Sequence, residues 1–309
     1  FIPYLELKDQ YDNSIPDSGR AVEFSIKDEA GAHLTVSGAP VSPQTATYDG
    51  TIPGYAGVST EVTYPGTYTV TVTVDSQTAG ETYELIVEQG LLTRPLCTIE
   101  LDSLTVTAGA ETTMTFFARD QFANRWYPPA AEINLHEAVI WIDGIDYVFG
   151  TWSGDALGWE GIRTWTVAQT RNITAFFDNE PAATPVLVTT VPAAMDVNSS
   201  VVTYNVPSIV AGNPFKTELQ LRDIYENVIS DIDYVLARTV TWVIPGLGTY
   251  TGTFDNTLKL FSATVTTPTA GTYTATGYVD AEGVYEYEPT EITVNAGPMV
   301  LARTLFTVS

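Results

Sequence analysis

The sequence is poor in positive charge. Its 309 residues hold 13 Lys and Arg against 37 Asp and Glu, which gives a formal net charge of −24. A surface this negative repels phosphate and has few cations to pair with it, so we expect no nucleic-acid partner. Hydrophobic residues still make up 44% of the chain. That share is enough for packed cores, so the acidity does not indicate disorder.

Long apolar runs and cysteine pairs are also missing. No stretch approaches the roughly 20 apolar residues that a membrane-spanning helix needs, so we expect no membrane span in this segment. Cys97 is the single cysteine, which excludes an intrachain disulfide. It lies in an alternating run, and we expect a small buried hydrophobe there rather than a nucleophile.

Motifs that would indicate an enzyme are absent. His33 and His136 are the two histidines, and neither has a second histidine at metal-ligand spacing. The sequence contains no nucleophile elbow, phosphate-binding loop or dinucleotide fingerprint. Paired carboxylates have no diagnostic value in so acidic a chain. We therefore expect no catalytic residues and no enzymatic activity.

What the sequence does contain is strand alternation. Residues Tyr68 to Val74 alternate between apolar side chains and Thr, which predicts a strand with one buried face. Gly and Pro recur at short intervals, as at Pro53-Gly54 and Pro65-Gly66, and predict turns. Helical periodicity is nearly absent. The pattern predicts an all-β chain.

One motif occurs three times along the chain. Its copies run from Leu7 to Asn13, from Ala118 to Asn124 and from Leu221 to Asn227, each with Asp third and Asn seventh. An Ala-Gly pair precedes the second and third copies at the same distance, at Ala108-Gly109 and Ala211-Gly212. The chain is therefore a repeat with a period of about 100 residues, the size of a seven-stranded sandwich domain.

A second landmark supports the same period. Pro65-Gly66-Thr67-Tyr68 recurs as Ala270-Gly271-Thr272-Tyr273, and each run continues into an alternating strand. Gly-x-Tyr before a late strand is typical of a tyrosine corner, in which the hydroxyls of Tyr68 and Tyr273 would bond back to the backbone. The middle repeat offers Gly161 and the run Thr164–Val167 as a degraded counterpart.

The Ala-Gly-x-Pro opening, the Arg-Asp-x-Tyr-x-Asn turn and the Gly-x-Tyr corner resemble filamin-type repeats and the related bacterial immunoglobulin-like domains of invasins and intimins. The resemblance covers the whole chain and implies three tandem immunoglobulin-like β-sandwiches. It also implies scaffolding, adhesion or fibre formation, without catalysis. We predict repeats at 1–92, 93–197 and 198–297. The second departs from the pattern, with a Trp- and Gly-rich insertion from Trp141 to Trp165 in place of a clean strand pair.

The two ends of the repeat pattern do not match. Leu5–Leu7 aligns with Phe116–Ala118, in the second strand of repeat two, so repeat one is predicted to lack its first strand. Within 298–309, Arg303–Val308 matches Arg94–Ile99, a first strand.

Two interpretations of these ends remain open. The sequence is a window on a longer tandem array, or 298–309 is a donor strand that completes the first repeat of the next copy. The donor-strand interface candidates are Leu305, Phe306 and Val308. Both interpretations indicate a fibre or stalk.

The recurring Asp and Asn residues have a structural and a metal-binding interpretation. Clustered oxygens suit calcium, but recurrence in every repeat favours a turn that leaves the second strand. The large residue between each Asp and Asn would then plug the end of its sandwich. The acidic runs 143–146 and 231–233 lack the spacing of a calcium loop. We predict no cofactor and no metal, with calcium as the alternative. The turn residues are Asp9, Asn13, Asp120, Asn124, Asp223 and Asn227.

Other candidate sites are aromatic side chains and glycosylation sequons. Trp141, Trp152 and Trp159 are interface candidates that could contact a neighbouring subunit or stack on a sugar, with ordinary core packing as the alternative. Asn172 and Asn198 begin N-glycosylation sequons, which favour an extracellular location.

These observations predict a segment of an extracellular filament, stalk or surface fibre. The partners would be further copies of the same repeats, with glycans as additional candidates. The alternative is a cell-surface adhesin or receptor ectodomain that binds a protein or a glycan.

Overall fold

The computed structural model describes residues 1–36, 39–50, 54–80, 82–284, 291–298 and 300. Regular structure there is almost entirely strand, so the all-β prediction is confirmed. The strands fall into three groups, here called units one, two and three. No sheet in these described ranges takes strands from two of the units.

Unit one has two main sheets, with the orders β1-β7-β6 and β10-β8-β2-β5. Its strands are β1 (Tyr4–Leu5), β2 (Val22–Lys27), β3 (Thr35–Val36), β4 (Ala39–Pro40), β5 (Gln44–Thr45), β6 (Thr47–Asp49), β7 (Gly54–Ala56), β8 (Gly66–Val74), β9 (Gln77–Thr78) and β10 (Tyr83–Val87). The sheets pack around Phe24, Tyr55 and Val72. The Thr-rich run that alternates in the sequence is β8, as its pattern predicts.

Unit two is one continuous sheet with the order β11-β13-β16-β15-β14-β17-β18-β12. Its strands are β11 (Thr98–Leu101), β12 (Thr105–Thr107), β13 (Glu111–Phe117), β14 (Ala138–Ile142), β15 (Asp146–Ser153), β16 (Gly158–Thr164), β17 (Thr170–Phe177) and β18 (Glu180–Val191), with short 3-10 helices at Arg94–Leu96 and Ile133–Leu135. Phe116, Trp159 and Phe177 contact one another in the core.

Unit three has three sheets, and its core includes the buried Trp242. Its elements are β19 (Met195–Tyr204), β20 (Ser208–Val210), β21 (Pro214–Asp223), α1 (Ile232–Leu236), β22 (Val240–Ile244), β23 (Gly248–Thr251), β24 (Thr253–Asp255), β25 (Leu260–Thr266), β26 (Gly271–Thr274), β27 (Thr276–Val279), β28 (Glu282–Gly283) and β29 (Glu291–Asn295). The sheet orders are β19-β21-β25-β24, β20-β29-β26 and β23-β22-β27-β28.

Strand pairing shows which strands are equivalent. β1 pairs with β7 as β13 pairs with β16 and β21 with β25. In units two and three a further strand, β11 or β19, pairs with the other side of β13 or β21. A parallel strand, β12 or β20, borders β18 or β29. Among the described residues, β1 and β10 are edge strands, so unit one has neither of these additions.

Two expectations about unit two are wrong. The aromatic segment from Trp141 to Trp165 is not an irregular insertion, because it forms the regular hairpins β14–β15 and β15–β16. The counterpart of β8 is not Thr164–Val167 but β17, which pairs with β14 and β18 as β8 pairs with β2 and β10. The Trp and Gly residues of these hairpins made their strand alternation hard to recognise in the sequence.

The ends of β18 and β19 define the connection between units two and three. β19 begins at Met195 and continues past the predicted boundary after residue 197. β18 ends at Val191. The connection between the two units is therefore the short segment 192–194, and the boundary at 197 is placed too late.

Candidate functional site at the unit junctions

The recurring Asp-to-Asn segment forms the same tight turn in every unit. In unit three, one carboxylate oxygen of Asp223 accepts the backbone N–H groups of Tyr225 and Asn227, each at 2.9 Å. The side-chain amide of Asn227 donates to the other oxygen at 2.8 Å. The residue before the Asn has a positive φ in all three copies. It is 68° at Asp12, 63° at Ala123 and 67° at Glu226. The predicted turn role therefore has a definite geometry.

In units two and three the turn also binds the linker, meaning the segment that connects the unit to the one before it. The second oxygen of Asp120 accepts the N–H of Gly90 at 3.1 Å. The equivalent oxygen of Asp223 accepts the N–H of Ala193 at 2.8 Å. Both aspartates are fully buried. Each carboxylate thus ties the chain that enters its unit to the turn at the end of that unit's second strand.

The Asn side chains extend from the turn to the preceding unit. The amide of Asn124 donates to the carbonyl of Thr63 in unit one. The amide of Asn227 donates to the carbonyl of Thr166 at 2.8 Å, and its side-chain oxygen accepts the N–H of Ala168 at 2.7 Å. The same residue of the motif therefore bonds to the end of the neighbouring unit at both junctions.

The aromatic residue of the motif does not plug its own sandwich, which corrects the expectation from sequence. Tyr225 is 40% exposed, and its ring lies against Gly109 of unit two. An added Cβ at Gly109 would come within 2.3 Å of the Tyr225 hydroxyl oxygen. The Ala-Gly turn of one unit and the tyrosine of the next are in direct contact.

The electrostatics suit a buried, ionised carboxylate. Burial by itself would raise the pKa of Asp120, but hydrogen bonds from the Asn124 side chain and from backbone N–H groups outweigh it and lower the pKa. The pKa of Asp223 is lowered in the same way, with burial opposed by Asn227, Ala193 and Tyr225. Both groups therefore accept hydrogen bonds as carboxylates at neutral pH.

In unit one the same turn is exposed. The carboxylate of Asp9 accepts the N–H groups of Tyr11 and Asn13 at 2.8 and 2.9 Å, and the Asn13 amide donates back to it. These residues are exposed, and Tyr11 is 76% exposed. The motif therefore has the same internal hydrogen bonds where its residues are exposed as where they are buried.

The tyrosine candidates bond to the backbone four residues earlier. The hydroxyl of Tyr68 donates to the carbonyl of Tyr64 at 3.0 Å, and that of Tyr273 donates to Thr269 at 3.0 Å. Each bond fixes the loop that enters β8 or β26. Unit two has no such tyrosine. Its equivalent strand, β17, begins Thr170-Arg171-Asn172 and contains no tyrosine.

The chain is similar to solved structures of bacterial surface proteins. The adhesin FdeC of Escherichia coli is 17% identical, with 95% of this chain and 91% of that one covered and a TM-score of 0.48. Invasin, a bacterial integrin-binding protein, is 16% identical over 96% of this chain and 56% of its own, with a TM-score of 0.47. InvD of Yersinia pseudotuberculosis is 15% identical over 96% and 93%, with a TM-score of 0.44.

No protein-family model and no curated protein matches the sequence. The similar structures are of the kind that the resemblance to invasin-type repeats implied. At these identities and TM-scores they assign no activity or ligand to the chain.

The three tryptophan candidates have different surroundings. Trp159 is 2% exposed and lies in the core of unit two, so the expectation that it forms an interface is wrong. Trp152 is half-buried against Trp159, with ring centroids 4.7 Å apart. Trp141 is half-buried on the outer face, where it contacts Tyr147 and Phe176. Pairing of β16 with β13 turns Trp159 inward.

The remaining candidates are placed as follows. Asn172 and Asn198 are exposed on β17 and β19. Leu305, Phe306 and Val308 lie outside the described residues. Cys97 is buried, and burial raises the pKa of its thiol. The structure thus leaves both asparagines exposed and the thiol covered.

The acidic runs 143–146 and 231–233 have partners within the protein. Asp231 caps α1 by accepting the N–H of Asp233 at 3.0 Å, and Asp143 pairs with Arg171. Within the described ranges no group of three or more His, Cys, Asp or Glu residues is placed to hold a metal ion. No helix in the same part of the chain is long and apolar enough to cross a membrane.

Proposed function

We propose that this chain is a structural segment of an extracellular filament, stalk or surface fibre, and that it is not an enzyme. The observation that supports the proposal is the repeated junction. At both connections, a buried aspartate binds the linker and an asparagine binds the preceding unit. Such contacts restrain neighbouring units and favour a stiff array over freely swinging domains.

The composition of the chain fits the same role. A charge of −24 keeps separate copies apart laterally, so order along the fibre would depend on end-to-end contacts. The exposed sequon asparagines Asn172 and Asn198 are compatible with a glycosylated protein outside the cell. We infer an extracellular or cell-surface location from these features.

Antibody labelling of intact producing cells tests this function. The proposal predicts labelling without permeabilisation and extended filaments or stalks in electron micrographs of the same cells. The matched control is an antibody against a cytoplasmic protein, which should label only permeabilised cells. Labelling that requires permeabilisation contradicts the proposal.

A second function, adhesion, is favoured by a patch on unit two. Trp141, Tyr147, Phe149 and Phe176 form this aromatic patch on the outer face of β14, β15 and β17. Tyr147 and Phe149 are 46% and 57% exposed, and their ring centroids are 5.2 Å apart. Exposed aromatic clusters are typical of surfaces that bind proteins or sugar rings.

The adhesive function has its own test. Tyr147→Ser with Phe149→Ser removes the exposed rings, whereas Thr249→Ala changes an exposed position in unit three. Binding of each variant to host-cell or glycan-coated surfaces should fall for the double variant and stay unchanged for the control. Equal binding by both variants contradicts adhesion through the aromatic patch.

A further inference from the structure

A glycosylation sequon lies beside the aromatic patch of unit two. Asn172 is exposed on β17, two residues before Thr174. Successive residues of a strand point to opposite faces, so both side chains lie on the outer face and the buried Ile173 between them points inward. Thr174 is directly opposite Trp141 on β14. Asn172 is therefore a diagonal neighbour of Trp141, about 7–8 Å away, on the same face as the rings.

Apolar side chains lie on both sides of Asn172. Leu187 on β18 is directly opposite it and is 61% exposed. On the other side, the rings of Trp141 and Tyr147 are in contact, with centroids 5.2 Å apart. An aromatic ring offers a flat apolar face against which the C–H groups of a sugar ring can pack. A sugar attached at Asn172 would begin within reach of this surface.

At the equivalent positions of unit three, both the exposed rings and the asparagine are replaced by threonine. There β22 takes the place of β14, because the first residue of each strand pairs with the last residue of β27 or β17. By this register, Thr249 and Thr251 of β23 stand at the two exposed ring positions of β15. Thr274 stands at the position of Asn172.

The same face of unit one is polar. β2 and β8 take the places of β14 and β17 there. Their outward-facing residues are Glu23, Ser25, Lys27, Thr69, Thr71 and Thr73. The unit that carries two exposed rings on this face is thus also the unit with a sequon there. A cover attached at Asn172 explains why this apolar surface belongs to unit two.

We propose that Asn172 carries a glycan and that its first sugars pack on Trp141 and Tyr147 of the aromatic patch. The donor is an oligosaccharide on a lipid phosphate. Its bond from the anomeric carbon to the phosphate oxygen breaks, the lipid phosphate leaves, and the anomeric carbon bonds to Nδ2 of Asn172, which gives up one proton.

The proposal rests on the extracellular location proposed above, because N-glycosylation sequons are modified in exported proteins. It also gives the aromatic patch an occupant from its own chain. A patch covered in this way is not free to bind a surface, so the glycan and the adhesive function are alternatives.

The second sequon supplies a matched control. Asn198 is exposed on β19, but the hydroxyl residue of its sequon, Ser200, is 2% exposed. The Ser200 hydroxyl donates to the carbonyl of Asp196 at 2.9 Å and accepts the N–H of Arg222 at 3.1 Å. Asn198 belongs to unit three, so its replacement leaves the patch of unit two as it is.

Glycopeptide mass spectrometry tests the modification on the full chain recovered from the outside of producing cells. The proposal predicts a glycan on Asn172, which Asn172→Gln abolishes. An unmodified Asn172 in chain recovered there overturns the proposal and leaves the fibre function standing. A chain found only inside the cells overturns both.

Hydroxyl-radical footprinting of the same chains tests where the glycan lies. Oxidation of Trp141 and Tyr147 should rise about threefold or more in Asn172→Gln, because solvent then reaches both rings. Asn198→Gln should leave their oxidation unchanged. No rise in Asn172→Gln, or the same rise in Asn198→Gln, overturns the proposal.

Thermal unfolding separates packing on the rings from mere proximity to them. Asn172→Gln should lower the melting temperature of the glycosylated chain by about 2 °C or more, because the contacts with the rings are lost. The comparison background is Trp141→Val/Tyr147→Thr, which introduces the residues that unit three has there, Val243 and Thr249. With the glycan confirmed in that background, Asn172→Gln should lower the melting temperature by less than about half as much. Equal shifts in the two backgrounds overturn the proposal.

Discussion

The hydroxyl of Tyr225 in unit three lies over the α-carbon of Gly109 in unit two. A Cβ at residue 109 would meet the hydroxyl oxygen at 2.3 Å. Gly109 also has a φ of +90°, which side chains rarely adopt. The contact and the backbone conformation therefore both require glycine at the centre of this junction.

Replacing this glycine should loosen the junction between units two and three. Gly109→Ala strains the backbone by about 1 kcal/mol and also pushes Tyr225 away. Gly212→Ala is the matched control, because it has the same φ and nothing within 4 Å. Limited proteolysis should cut the linker at 192–194 faster in Gly109→Ala alone. Equal cleavage of both variants would show that Tyr225 does not restrain the junction.

Loss of a buried junction carboxylate should destabilise the protein more than loss of an exposed one. Asp223→Ala leaves the N–H of Ala193 without its acceptor, at a cost of about 1–3 kcal/mol. Asp9→Ala removes the same turn bonds where no linker is bound, and should cost less than about 1 kcal/mol. Urea denaturation measures both free energies of unfolding. The explanation fails if the two costs agree within error.

Acid should weaken the junctions. The pKa values of Asp120 and Asp223 are lowered from the ordinary value of 3.8. Their contribution is therefore complete above that value and is lost as the pH falls through the lowered pKa values. Urea midpoints at about pH 7, 5 and 3 should change mainly in the last step. The double variant Asp120→Asn/Asp223→Asn should lose less stability in that step, and an equal loss would place the acid sensitivity elsewhere.

The sequence predicted the turn residues but not the backbone groups to which they bond at the junctions. Asp120, Asn124, Asp223 and Asn227 stood out because side chains recur at fixed positions. Their partners at the junctions are backbone groups, which any residue supplies, so no side-chain pattern marks them. In the structure, Asn124 and Asn227 each bond to a carbonyl 61 residues earlier in the chain. A constant separation across two repeats is what a repeated junction requires.

The aromatic segment shows a different limit. Alternation correctly predicts that its side chains divide between core and surface, as Trp159 and Trp141 do. It does not show which side chains face the core, because a shift of one residue turns every side chain to the other face. The pairing of Trp159 with Phe116 across β16 and β13 places Trp159 on the core face. The pairing joins strands that are distant in the sequence, so local pattern did not contain it.

These two tryptophans should differ in their effect on stability. Trp159→Ala empties the centre of unit two and should cost about 3–5 kcal/mol. Trp141→Ala removes a half-buried ring from the outer face and should cost about 1–2 kcal/mol. Thermal or urea unfolding measures the difference. A cost for Trp141→Ala as large as that for Trp159→Ala would contradict the assignment of the aromatic patch to the surface.

The distance between spin labels on units two and three tests the restrained junction most directly. Asp155→Cys and Asn256→Cys place the labels at exposed positions, with Cys97→Ala to leave no other thiol. Pulsed electron paramagnetic resonance should give one narrow distance distribution, which Asn227→Ala broadens and Asn13→Ala, the same residue of the motif in unit one, leaves unchanged. A broad distribution in the labelled chain with Asn227 intact, or no broadening by Asn227→Ala, would contradict the account.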